Sequence, residues 1–141
     1  MNPDMQLAIQ RLITQFLATP PPAHAWAVDA VRAHDFLPLY FGWVATLGIR
    51  PDGSMLRWHQ EEGVDAVGTL DVEYLRRMAL KQGSLQYPVL EPLVPSPLPD
   101  AQTCPTCGGS GTIGSNNSKV ICECGGVGWI VPGEDRGESP G

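Results

Sequence analysis

The first 103 of the 141 residues contain no cysteine, so no thiol, disulfide or thiolate metal site can hold that stretch together. Charge is also thin. Charged residues are 17% of the chain against 43% hydrophobic, which excludes a chain too polar to bury a core. Basic residues are scarcer than acidic ones, 9 against 15, for a net charge of −6. That balance disfavours condensation onto nucleic acid or an anionic membrane through the overall field. It leaves plain solubility, or a basic protein partner. No apolar run has the length of a bilayer span, and Asp4 interrupts the start where a signal peptide needs apolar residues. The expectation is a cytoplasmic protein with no membrane association.

Catalytic signatures are missing too. The chain has no Gly-x-Ser-x-Gly elbow, phosphate loop or His-Glu-x-x-His helix. Its histidines are His24, His34 and His59. His34-Asp35 could orient a base, and His59 with Glu61 and Glu62 could form an acid–base group or a second metal site. Without a nucleophile motif the default is histidines at the surface or core edge, and no enzyme is expected.

Glycine and proline are plentiful, 16 and 14 residues, so loops take a large share of the chain. Met5, Ile9, Leu12, Ile13, Phe16 and Leu17 recur at helical spacing behind Asn2-Pro3, and Thr19-Pro20-Pro21-Pro22 stops the pattern. A second helix is expected from about Ala25 to Ala33, burying Trp26, Ala30 and Val31. From Phe41 to Ile49 the period becomes two, Arg50-Pro51-Asp52-Gly53 offers a turn, and Ser54 to His59 returns as a hairpin. Trp43 and Trp58 are expected as near cross-strand neighbours in its core. Asp71 reads as the N-cap of a helix over Val72–Gln82 that buries Tyr74, Leu75, Met78 and Ala79 and stops at Gly83. Arg76 and Arg77 read as its solvated face. Five prolines between Tyr87 and Asp100 predict an extended spacer. The expected division is therefore a small α+β helix–helix–hairpin–helix domain over 1–86, a linker over 87–103, a four-cysteine zinc-ribbon hairpin over 104–132 and a disordered tail over 133–141.

The cysteines fall in one 21-residue stretch. Cys104-Pro105-Thr106-Cys107-Gly108-Gly109-Ser110-Gly111 and Cys122-Glu123-Cys124-Gly125-Gly126-Val127-Gly128 are variants of one unit, a cysteine pair followed by Gly-Gly-x-Gly. Two thiolates close in sequence form one jaw of a tetrahedral zinc site, and the glycines let the backbone turn amides back toward sulfur. Two disulfides are the alternative in an oxidising compartment. Gly111-Thr112-Ile113 and Lys119-Val120-Ile121 read as strands, with Gly114 to Ser118 as the turn between them. Cys104, Cys107, Cys122 and Cys124 are the expected ligands of one zinc. Four thiolates close its coordination shell, so the metal is expected to be structural.

The first half resembles the Cys-x-x-Cys-x-Gly-x-Gly repeat of DnaJ-type co-chaperone zinc fingers. The likeness covers 104–129, with one residue between Cys122 and Cys124 where the repeat has two. There are two repeats where that cysteine-rich domain has four, and no His-Pro-Asp tripeptide is present. The resemblance implies a zinc-ribbon architecture and not co-chaperone activity. The order of helices and hairpin in the remainder is loosely similar to SUKH-type immunity proteins.

The function expected is a small acidic zinc protein that acts by binding another protein, as an inhibitor, immunity protein or adaptor. Glu61, Glu62 and Asp65 in the loop after the hairpin are the candidate contacts for a basic partner, with Trp129 beyond the second jaw as a further one. The alternative is a nucleic-acid-associated zinc ribbon, which would need a basic surface gathered from Arg11, Arg32, Arg50, Arg57, Arg76, Arg77 and Lys81.

Overall fold

A computed structural model describes residues 1–114 and 120–134. Lys119, the 115–118 part of the expected turn and residues 135–141 of the expected tail lie outside the described residues. The fold is mixed helix and sheet. It divides into two compact units, Met1–Leu70 and a second beginning at Asp71. The division falls ahead of the third helix and not in the proline-rich stretch, so that helix belongs with the cysteines. Among the described residues no helix is long and apolar enough to cross a membrane.

In the first unit, α1 spans Pro3–Ala18, and the Asn2 side chain accepts from the Met5 amide at 2.7 Å, satisfying one of the donors a helix start leaves free. Its Ile9, Ile13 and Phe16 are buried, each stabilising by about 1.5–3 kcal/mol. A 3₁₀ turn over Pro22–Ala27 leads into α2, Val28–His34. The helix expected from about Ala25 is therefore divided, its first residues lying in the 3₁₀ turn and the α-helix starting only at Val28. Ala30 and Val31 are buried as expected, but Trp26 is 50% exposed.

Four strands form an antiparallel sheet in the order β1 (Leu37–Phe41), β2 (Ala45–Ile49), β3 (Met55–His59) and β4 (Val67–Thr69). The hairpin of β2 and β3 pairs Ile49 with Met55 and Ala45 with His59 around the turn at Arg50–Ser54. The sheet also has two outer strands that the sequence reading missed. β1 carries Pro38 and a register irregularity between Pro38 and Tyr40, which break the period-two pattern. β4 is only three residues long. Phe41 closes β1, and Gly42-Trp43-Val44 is a tight turn, so the apparent alternation from Phe41 ran across two strands. Trp58 accordingly faces Thr46 and not Trp43, and Trp43 is 86% exposed.

Every residue of β2 is buried. Gly48 is the close-approach point: a Cβ there would run into the Phe36 ring and the Leu37 carbonyl oxygen. Gly48→Ala is therefore expected to destabilise the protein by about 1–3 kcal/mol in a urea melt, because neither backbone nor ring can yield freely.

In the second unit, α3 spans Glu73–Gln86. It has Val72 and not Asp71 at its cap position, and it runs through the buried Gly83, ending only where Pro88 approaches. Tyr74, Leu75, Met78 and Ala79 are buried as the periodicity predicts. The proline-rich stretch is not wholly extended: Pro88–Leu93 forms a 3₁₀ turn that packs on α3 and buries Leu90 completely. The cysteine segment follows with β5 (Gln102–Thr103), β6 (Thr112–Ile113), β7 (Val120–Ile121) and β8 (Trp129–Ile130). β6 pairs with β7 as the sequence predicts, and β5 pairs with β8, which it did not.

Candidate metal centre

The two halves of the cysteine segment interlock about a local two-fold relation. The strand before Cys104 pairs with the strand after Gly128, and the strand after Gly111 pairs with the strand before Cys122. The amide of Cys104 donates to the Gly128 carbonyl and that of Cys122 to the Gly111 carbonyl, each at 3.0 Å. A side chain at Gly111 would collide with the carbonyl of Gly126, and one at Gly128 with the carbonyl of Gly109. Both glycines also hold φ near +85°, at +84° and +87°, where an L side chain is strained.

This crossing brings the sulfurs together. Cys104 and Cys122 lie 3.6 Å apart at Sγ, Cys107 and Cys124 lie 3.8 Å apart, and all four sulfurs fall within 4.8 Å of one another. No pair is at disulfide distance, and all four cysteines are free. The group is arranged to hold one metal ion, and it is the only such cluster of cysteine, histidine and carboxylate among the described residues. His59, Glu61 and Glu62 therefore do not form a second site there.

The shortened second jaw keeps its function because the glycines are counted from the second cysteine. Gly111 donates to Cys107 Sγ and Gly128 to Cys124 Sγ, four residues on in both halves and both at 3.3 Å. Removing a residue between Cys122 and Cys124 leaves that relation untouched. The electrostatics of the bare thiols are divided. At Cys107, burial raises the thiol, but the amides of Gly111 and Gly109 and the thiols of Cys122 and Cys104 outweigh it and bring it down to about 6. Burial pushes Cys122 up to about 12, and the bonds it shares with the neighbouring thiols push the same way. Burial also raises Cys124. A cation in the middle removes the conflict by taking the place of the protons.

The cysteine segment rests on α3. The Tyr74 hydroxyl donates to the carbonyl of Glu123, between the two cysteines of the second jaw, and a Cβ on Gly125 would press into the Met78 side chain. Arg77 is the chief correction to the sequence reading. It is fully buried, not solvated. Its guanidinium lies over the Trp129 ring at 4.4 Å and the Tyr74 ring at 5.4 Å. Two of its nitrogens donate to the two carboxylate oxygens of Glu134. A fork-to-fork pair compensates a buried charge as a lone lysine could not. Trp129 is 8% exposed, so it docks its own unit and is not a contact for a partner. Arg77 is likewise unavailable to a basic surface. Nothing in the spacing of Arg76-Arg77 marked one as buried, and Glu134 stood in a stretch of glycine, proline and charge.

The remaining candidates lie in the first unit. Glu61, Glu62 and Asp65 are exposed. His34 Nε2 is 2.9 Å from the Val64 carbonyl and 3.4 Å from Asp65 Oδ1, so it braces this loop. His24 stacks on Phe41 with ring centroids 3.7 Å apart.

Metal affinity is expected to rise with pH, because the metal must displace the protons that burial holds on Cys122 and Cys124. A chelator competition at pH 6 and pH 8 should show weaker binding at the lower pH, with protons released as metal is added. Arg77→Ala strands a nearly buried Glu134 carboxylate and empties the space over Trp129. In a urea melt of metal-loaded protein it is expected to cost about 3–5 kcal/mol, with Arg77→Lys recovering part of the loss.

No protein-family model matches the chain, and neither the curated proteins nor the solved structures contain a match.

Proposed function

We propose that this is a zinc-binding protein whose metal is structural and whose work is to bind another protein. The sulfur geometry supports zinc. With Zn–S bonds of about 2.3 Å, a tetrahedral shell sets its sulfurs about 3.8 Å apart; two pairs here stand at 3.6 and 3.8 Å, and all lie within 4.8 Å. Four thiolates leave no position for water or substrate, and three of the four cysteines are buried. Such a site contributes folding free energy and not reactivity. Its architecture is that of a ribbon resembling one DnaJ-type zinc finger.

The observation that carries the interaction reading is Trp43. An indole 86% exposed contributes no burial of its own to folding, and tryptophan is the residue most enriched among those that dominate binding energies. It also sits on a pinned turn. The Gln60 amide donates to the carbonyls of Gly42 and Trp43 at 2.9 and 2.8 Å, and its oxygen accepts from Thr46 at 2.7 Å. The backbone that carries the indole is thereby fixed, and an ordered backbone costs less entropy on binding.

Two measurements test the two halves. Elemental analysis of protein purified without added metal is expected to give one zinc per chain, and Cys104→Ser or Cys122→Ser to abolish it. Iron in its place, or no metal with thiols recovered only by reductant, would refute the zinc assignment. Cross-linking and capture from the native host is expected to recover a specific protein with the wild-type chain and to lose it with Trp43→Ala. Capture unaffected by Trp43→Ala would refute the role given to that indole.

A further inference from the structure

The exposed large apolar residues of the first unit, apart from Met1 and Leu7, are Trp26, Trp43, Val44 and Val64. They come from three separate stretches of chain, and the structure ties those stretches together at one end of the sheet. Trp26 packs on Phe41 and Trp58, with ring centroids at 5.7 and 5.5 Å. Gln60, from the loop after β3, holds the Trp43 turn. The Trp58 indole donates to the Gly63 carbonyl at 2.9 Å and so fixes the loop that carries Glu61, Glu62, Val64 and Asp65. His34 fixes the same loop at Val64. The exposed indoles and the carboxylates are therefore carried by segments fixed to one another at one end of the sheet. Nearby cations are few. The unit has no lysine and four arginines: Arg11 is on α1, Arg32 lies 3.9 Å from Asp29, Arg50 donates to the His34 carbonyl, and Arg57 is half-buried on β3.

We infer that this surface docks a basic segment of a partner protein and takes an arginine or lysine side chain against the indoles of Trp26 and Trp43. A cation over an indole face is attracted by the ring quadrupole. Glu61, Glu62 and Asp65 supply the opposite charge at its rim. A purely apolar partner would bury these carboxylates without compensation, and an acidic one would be repelled. The inference rests on the protein-interaction reading above and adds the chemistry of the partner.

The four tryptophans provide the readout. In ¹⁵N-labelled, zinc-loaded full-length protein, hexa-arginine peptide is expected to move the indole N–H signals of Trp26 and Trp43 saturably. The buried Trp129 signal should stay in place as an internal reference, and hexa-glutamate should move none. Trp43→Ala and the double variant Glu61→Gln, Glu62→Gln, both altered at exposed positions, are each expected to weaken binding about threefold or more. Added salt should weaken the wild type further. Absence of a saturable shift with hexa-arginine, or shifts of undiminished strength in both variants, would overturn the proposal. If the host partner is still captured through Trp43 while hexa-arginine fails, the interaction reading survives and the basic-segment assignment falls. If hexa-arginine binds as expected, the assignment stands whichever partner is recovered.

Discussion

Four sulfurs held within 4.8 Å of one another are the constraint on which the second unit depends. Bare thiolates at that spacing repel, and protonated thiols offer each other weak hydrogen bonds. The backbone nevertheless spends seven glycines with positive φ between 108 and 128 on bringing them together. So short and glycine-rich a segment has little apolar surface with which to offset that entropy. A cation shared by the four sulfurs supplies what burial cannot, and the amides of Gly111 and Gly128 prepare the sulfurs to receive it.

Around that centre the second unit is assembled by polar contacts of unusual depth. Arg77 links α3 to Trp129 by stacking and to Glu134 by a double hydrogen bond, while Tyr74 reaches Glu123 within the second cysteine pair. The helix and the cysteine segment thus share one interior. The first unit relies on ordinary burial, with both flanks of β2 occupied and Gly48 admitting the Phe36 ring. Its polar side chains act at the edge, where Gln60, His34 and Trp58 fix two loops.

Sequence legibility followed the same division. The ligand set could be read directly, because the chemistry of a cysteine pair is local and its repeat marks itself. The amphipathic helices were legible through Ile9, Ile13 and Phe16, and through Tyr74, Leu75, Met78 and Ala79. What failed was non-local. The run from Phe41 to Ile49 alternates smoothly, and only the pairing of β1 with β2 shows that it folds back at Trp43. Arg77 was invisible as a core residue because its burial depends on Trp129 and Glu134, each more than fifty residues away. The proline-rich stretch looked like a boundary because proline disfavours helix, yet Leu90 anchors it to α3.

The local two-fold of the cysteine segment also has a broken side. Gly108 and Gly125 are equivalent by the repeat, yet an added Cβ on Gly108 meets nothing within 4 Å, while on Gly125 it would press into Met78 at 2.9 Å. Only the second copy is committed to the helix. The first presents the same backbone to solvent, so the two copies carry unequal mutational freedom. At this position only the cost of positive φ would oppose a side chain in the outward copy, while in the inward copy the helix opposes it as well.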